Sequence, residues 1–227
     1  MCQAGHVVAV VGVDGRRGGW VVARVETEPS PVLISLDYVA PLAPTLADPA
    51  LHVIAIDMPI GLADAGPRAC DVAARKLLRP HGSRVFPAPV RAVLAHPDDY
   101  AAACQASIEA SGTSLSRQTW NIVRAINEVD ALAGDPRLVE CHPEIAFALM
   151  HGHPVDERKK TPEGRHLRLE LLRRWLPDLG DPAYGDDGLD ALACAWSAAR
   201  IASGAAITVP HGALPTDSRG YPMRISA

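Results

Sequence analysis

The chain reads as an α/β protein whose central sheet opens with an antiparallel meander of three strands. Three observations predict this. Apolar runs rich in β-branched residues at Val7–Val13, Trp20–Val25 and Pro31–Val39 follow one another across short turns, as in a meander. Leu51–Ile56 is then nearly continuously apolar, the pattern of a strand covered on both faces. Ser116–Ala133 and Asp186–Ser203 carry apolar residues at helical spacing and supply faces to pack on such a sheet.

The first strand ends at Asp14-Gly15, a basic turn follows, and Trp20–Val25 returns antiparallel to it. An ionised carboxylate at the end of a buried strand is costly unless something pairs with it. A divalent cation would do so, and oxygen ligands suit magnesium or manganese; the plainer alternative is an aspartate capping the turn. After the third strand, Pro41–Ala50 has room for a short helix. Leu51–Ile56 stops at Asp57-Met58-Pro59-Ile60-Gly61, where Pro59 cannot join a ladder and Gly61 frees the backbone. Asp57 therefore also stands at a strand end, and two carboxylates brought to adjacent strand ends call for a shared cation.

Arg68–Arg79 reads as a helix. His81–Arg91 reads as a loop, since Pro87 and Pro89 forbid a regular helix. Its Arg84 and Arg91, with Phe86, are candidates for contacting a phosphate and a ring, against the alternative of an ordinary surface loop. Asp98–Ala110 is an alanine-rich helix. Ser116–Ala133 is expected as one amphipathic helix with Ile122, Ile126 and Val129 on its buried face and Ser114 or Ser116 as cap. Gln118, Asn121, Arg124, Asn127 and Glu128 form its solvated face, and Glu128 and Asp130 are weak site candidates.

Arg137–Cys141 is a short strand leading to His142-Pro143-Glu144. His142 is placed to polarise a substrate oxygen, and Glu144 is either a metal or catalytic carboxylate or simply a first-turn acid. His151 and His153 fit no zinc spacing with it. Glu157–Arg174 is the only concentrated basic segment; Lys159, Lys160 and Arg165 are candidates for holding phosphate, against a solvated helix face. A helix from Pro162 onward sets Arg165 and Arg168 one turn apart. The last helix carries Asp187 and Asp190 at i and i+3, on one face. The helix dipole accounts for Asp186 and Asp187, but not for Asp190 inside an apolar stretch. The tail, Ile207–Val209 and Asp217–Ile225, reads as two short strands or an irregular finish.

At 227 residues the chain suits one domain with a helical or loop insertion around 64–135. Its 48% hydrophobic and 21% charged residues can bury a core without staples. A net charge of −4 gives no general basic footprint, which argues against a high-affinity duplex binder. Cys2, Cys70, Cys104, Cys141 and Cys194 stand far apart, without a CxxC pair, so neither a disulfide framework nor a structural zinc is expected. With no leader-like start and no membrane-length apolar run, the expected compartment is the cytoplasm.

Carboxylates from three separated elements converging at one end of a sheet suit two-metal phosphoryl chemistry, in which shared acids hold two cations about 3.5–4 Å apart. The order of elements and acids resembles the ribonuclease H-like superfamily, and within it the Holliday-junction resolvases, which implies a three-layer α/β/α fold with a mixed central sheet: the antiparallel meander of strands 1–3, then parallel strands. GVDGRRGGW (Gly12–Trp20), DMPIGL (Asp57–Leu62), VFPAPVR (Val85–Arg91), HPE (His142–Glu144) and DDGLDALACAW (Asp186–Trp196) resemble, in order, the domain of unknown function 429 family, described as predicted nucleases of that fold. The resemblance implies Asp14, Asp57, Asp187 and Asp190 as ligands for Mg2+ or Mn2+, with Glu144 a motif residue beside them. It also implies hydrolysis of nucleic acid to 5′-phosphate and 3′-hydroxyl ends, away from membranes; a homodimer is compatible with it. Two other classes compete. A phosphotransferase of the actin and sugar-kinase type shares the strand–hairpin start but needs a duplicated domain, and no repeat is present. A non-catalytic binding module would keep the acids for structure alone.

Overall fold

The computed structural model describes residues 8–227; Val7, the expected start of the first strand, and Cys2 lie outside the described residues. In chain order the elements are β1 (Ala9–Arg16), β2 (Gly19–Glu26), β3 (Val32–Val39), α1 (Ala43–Leu46), β4 (Leu51–Ile56), α2 (Ala69–Leu77), α3 (Tyr100–Ser111), α4 (Arg117–Asn121), α5 (Val123–Leu132), β5 (Leu138–Glu140), α6 (Pro143–His151), α7 (Pro162–Arg173), α8 (Asp186–Ala202), β6 (Thr208–Val209) and β7 (Ile225–Ser226). The chain divides into two compact units. One comprises the described residues up to Asp57, with Arg137–Ile207 and Ser226–Ala227; the other comprises Met58–Pro136 and Thr208–Ile225. Residues 64–135, expected as an insertion, fall inside the second unit.

In the first unit the described strands form a five-stranded mixed sheet of order β3-β2-β1-β4-β5. β1–β2 and β2–β3 pair antiparallel, while β1–β4 and β4–β5 pair parallel. The fold is α/β, with the meander first and the parallel strands after it. Arg17 and Gly18 make the two-residue turn between the paired Arg16 and Gly19, and Gly18 takes the positive φ of 80° that a type II turn needs at its second central residue. Both faces of β1 and β4 are buried: Val10 and Ala55 join a large apolar cluster, and Val13, Ile54 and Ile56 on the opposite face are equally buried. This is why Leu51–Ile56 lacks polar alternation.

Helix α8 lies against β1, and Gly12 is the reason it lies so close. A Cβ at Gly12 would sit 2.0 Å from Ala195 N and 2.1 Å from Ala191 O. Ala191, Ala195 and Ala198 are fully buried on the same stripe, so helix backbone rests almost directly on strand backbone. Helix α6 is opened by His142, whose Nδ1 accepts from Glu144 N–H at 3.2 Å, with Pro143 in the first turn. Helix α7 is capped by Thr161, which accepts from Gly164 N–H at 3.1 Å.

The second unit has its own apolar cluster of Val90, Val93, Ala103, Leu115 and Val123. The single helix expected over Ser116–Ala133 is in fact two. Ser116 caps the first, and the chain breaks at Ile122 (φ −103°, ψ 1°). Ile122 N–H donates to Thr119 O, a tightened i→i+3 turn. Residues three apart eclipse in such a turn, so Trp120 and Val123 reach one cluster. Ile122, expected on the buried face, is left exposed. Arg91 holds Asp130 (3.2 Å) and Asp217, and Arg219 also holds Asp130. Asp217 further accepts from the backbone N–H groups of Leu62, Arg219 and Tyr221. This network, with an isolated Thr216–Pro222 bridge, replaces the regular strand considered for Asp217–Ile225. Among the described residues no helix is long and apolar enough to cross a membrane.

Candidate active site

Side chains alternate across a strand, and that parity fixes the site. Val10, Gly12 and Asp14 share the face of β1 that meets α8; Val53, Ala55 and Asp57 share the same face of β4 and its end. Asp57 N–H donates to Val13 O at 2.9 Å, so the two strand ends are laced together just where both carry aspartate. On α8, Asp187, Asp190, Ala191, Cys194 and Ala195 form the stripe facing the sheet. The helix therefore delivers its two acids to the same place.

The electrostatics record this convergence. Asp14, 8% exposed, has its carboxyl pKa raised well above the ordinary value, first by burial and then by the charges of Asp190, Asp57 and Asp187. Burial likewise raises Asp57, against the lowering effect of His142 and Lys159. Asp190, 3% exposed, is pushed up to about 6 by burial, even though Lys159 opposes the shift. Lys159 Nζ donates to Asp190 at 2.5 Å, and the surrounding carboxylates raise the lysine's own pKa, so the proton of this pair stays on the lysine.

Three of the five acids have a cationic partner. Asp190 has Lys159. Asp187 accepts from Arg16 at 2.6 Å, and the same guanidinium donates to Tyr184 O. Glu144 accepts from Arg168 at 2.7 Å, where Arg168 is only 1% exposed and also donates to Glu157 O and Gly164 O. Among the described residues, no side-chain or backbone donor reaches the carboxylates of Asp14 and Asp57. His142 lies beside Asp57, and since its Nδ1 accepts from Glu144 N–H, Nε2 is left as the ring's donor.

The remaining sequence candidates are placed differently. Lys160 is exposed; Arg165 pairs with Asp181 at 2.6 Å. Arg84 and Arg91 belong to the second unit. Arg84 ends a 3-10 turn near the exposed Phe86, and Arg91 is committed to Asp130 and Asp217. Asp130, a weak site candidate, is likewise taken up in that network. Sequence patterns do not mark Arg16 and Arg168 as site residues. The only available signals were the basic turn after Asp14 and the position of Arg168 beside Leu169, Leu171 and Leu172, and both look like surface charge in one dimension.

Among the described residues, no group of three or more His, Cys, Asp and Glu side chains is gathered closely enough to cage a metal ion. Asp187, Asp190 and Glu144 are each paired with their own cation. Two donor-free carboxylates remain, and that set fits magnesium, which typically takes one or two protein carboxylates and completes its shell with water and substrate phosphate.

Comparison with solved structures finds the Thermus thermophilus RuvC structure, with 10% identity, 87% of this chain and 98% of that chain covered, and a TM-score of 0.44. It also finds T. thermophilus RuvC in complex with Holliday junction substrate, with 11% identity, 87% and 97% covered, and a TM-score of 0.38. No curated protein matches the chain. The profile of one family, described as protein of unknown function (DUF429), matches residues 12–214, and the chain belongs to that family.

Proposed function

We propose that this protein is a divalent-metal-dependent nuclease that hydrolyses phosphodiester bonds. The observation that carries the reading is the pair of strand-end aspartates, Asp14 and Asp57. They face the acids of α8, are held above the ordinary carboxylate pKa by burial and by the neighbouring carboxylates, and have no donor of their own. A structural aspartate would have its hydrogen bonds satisfied; these two are left for a cation. Asp14 and Asp57 would hold Mg2+ or Mn2+, which supplies the positive charge that makes water nucleophilic near neutral pH and offsets charge on the phosphoryl oxygens.

The chain's own residues do the rest. Lys159 neutralises Asp190 and keeps a fixed positive charge beside the acids. Arg168 and Arg16 hold Glu144 and Asp187 in place. His142 presents Nε2–H as a donor for a phosphoryl oxygen. Lys160, exposed and without a partner among the described residues, contributes to phosphate attraction.

The test is cleavage of labelled single-stranded, duplex and branched DNA and RNA in Mg2+ or Mn2+. Asp14→Asn and Asp57→Asn should each abolish metal-dependent cleavage with the circular dichroism spectrum unchanged. Cleavage at the parental rate by either variant overturns the proposal.

A further inference from the structure

We infer that this site takes one divalent cation, held by Asp14 and Asp57, and that the ammonium of Lys159 on Asp190 stands in for a second metal. The inference deepens the nuclease reading and rests on it for the identity of the cation.

The argument is one of charge matching. Five carboxylates gather here: Asp14, Asp57, Glu144, Asp187 and Asp190. Arg168 matches Glu144 at 2.7 Å, Arg16 matches Asp187 at 2.6 Å, and Lys159 matches Asp190 at 2.5 Å. Five negative charges less three positive ones leave two, both on donor-free carboxylates, and two is the charge of one divalent ion. A second divalent ion would require Asp190 or Asp187 as ligand, and there it would sit against the positive charge already paired with that carboxylate.

Asp190 is the stronger restraint. Its residue is 3% exposed, so the carboxylate end of the pair is buried, while the Lys159 side chain is 42% exposed and reaches it from the solvent side. The ammonium also feels Asp14 and Asp57 and so serves all three acids. Moreover, Lys159 precedes α7 by only a few residues, and Thr161 and Arg168 anchor that segment, Arg168 through Glu157 O. Its charge is thus built into the site, whereas a metal ion exchanges with solvent.

The experiment is a Mn2+ titration of the full chain, read by the electron paramagnetic resonance signal of the free ion, on the parent, Lys159→Met and Lys159→Arg. The parent and Lys159→Arg should each bind one Mn2+, and Lys159→Met should bind two. Thermal melts with and without Mn2+ accompany the titration, and Lys159→Met should be stabilised by Mn2+ more than the parent. Two ions in the parent, none in the parent, or one ion of unchanged affinity in folded Lys159→Met would each overturn the inference. Should Lys159→Met fail to fold, Lys159→Gln takes its place, and the parent's stoichiometry alone still decides against the inference if it is two. The nuclease proposal fails separately: one ion in the parent and two in Lys159→Met, with no cleavage of any substrate, keeps the metal count and removes the activity.

Discussion

Asp14 is a residue whose folded-state environment opposes its own charge, and the consequence is measurable without any substrate. The carboxyls of Asp14, Asp57 and Asp190 all hold their protons more tightly in the folded chain than the ordinary value of 3.8 allows, Asp190 to about 6. The folded state therefore binds more protons than the unfolded state between those values. The stability this provides is complete below about 4 and is lost as pH rises through about 6. In the metal-free protein, Asp14→Asn should raise unfolding stability at pH 7.5 by on the order of 1–3 kcal/mol, the cost of a buried group left unsatisfied. The gain over the parent should shrink towards pH 4, as followed by urea denaturation across pH; a gain independent of pH would show that Asp14 is not ionised against its surroundings. Lys160, by contrast, is a solvent-facing charge. Lys160→Ala should weaken nucleic-acid binding mainly at low salt and reduce the slope of log K against log[salt] by about 1. An unchanged slope in fluorescence anisotropy titrations would remove Lys160 from the substrate-binding set. These two roles were only half legible in the sequence. Strand-end aspartates announce themselves, because an apolar run stops at each of them. The difference between Lys159 and its neighbour Lys160 does not, because only folding decides that one faces Asp190 and the other faces water.

Helix α8 is the element that turns separate aspartates into a site, and Gly12 sets its distance from the sheet. A methyl at Gly12 would meet backbone atoms of Ala191 and Ala195, which cannot swing aside as a side-chain tip would. Gly12→Ala should therefore displace α8, lower stability by about 1–3 kcal/mol or more, and weaken Mn2+ binding even though no ligand is altered. Retention of both stability and affinity would mean that α8 is free to shift without cost. The strands and α8 could be read closely from sequence, because burial on both faces and an alanine stripe are one-dimensional patterns. The break at Ile122 could not. It arises because Trp120 and Val123 must reach Val90, Val93 and Leu115, contacts that a helical wheel does not contain. The Glu144–Arg168 pair belongs to the same class. Sequence leaves Glu144 open between metal ligand and first-turn acid and does not show the buried guanidinium that the fold sets beside it. Breaking that pair with Arg168→Ala should cost about 3–5 kcal/mol, since it strands a buried carboxylate. Arg168→Ala combined with Glu144→Gln should recover much of the loss in the same denaturation assay.

At the scale of the molecule, the order of strands and the convergence of acids follow from patterns that the sequence displays, whereas the balance of charge does not. An overall charge of −4 conceals a centre in which five carboxylates face three fixed cations. This imbalance gives divalent ions a purchase on the stability of the folded chain. An ion that binds only the folded state stabilises it by RT ln(1 + [L]/Kd), about 2.7 kcal/mol at a hundredfold excess over Kd. For a chain of this size each kcal/mol moves the melting temperature by about 2–4 °C. Mg2+ or Mn2+ at that excess should thus raise the melting temperature of the parent by roughly 5–10 °C at pH 7.5. The shift should fade as the pH falls and protons compete for Asp14 and Asp57, and it should vanish in Asp14→Asn. Calorimetric scans at matched ionic strength, with Ca2+ and K+ as controls, separate specific binding from screening. An equal shift in Asp14→Asn would assign the effect to the general acidity of the chain and not to the two strand-end aspartates.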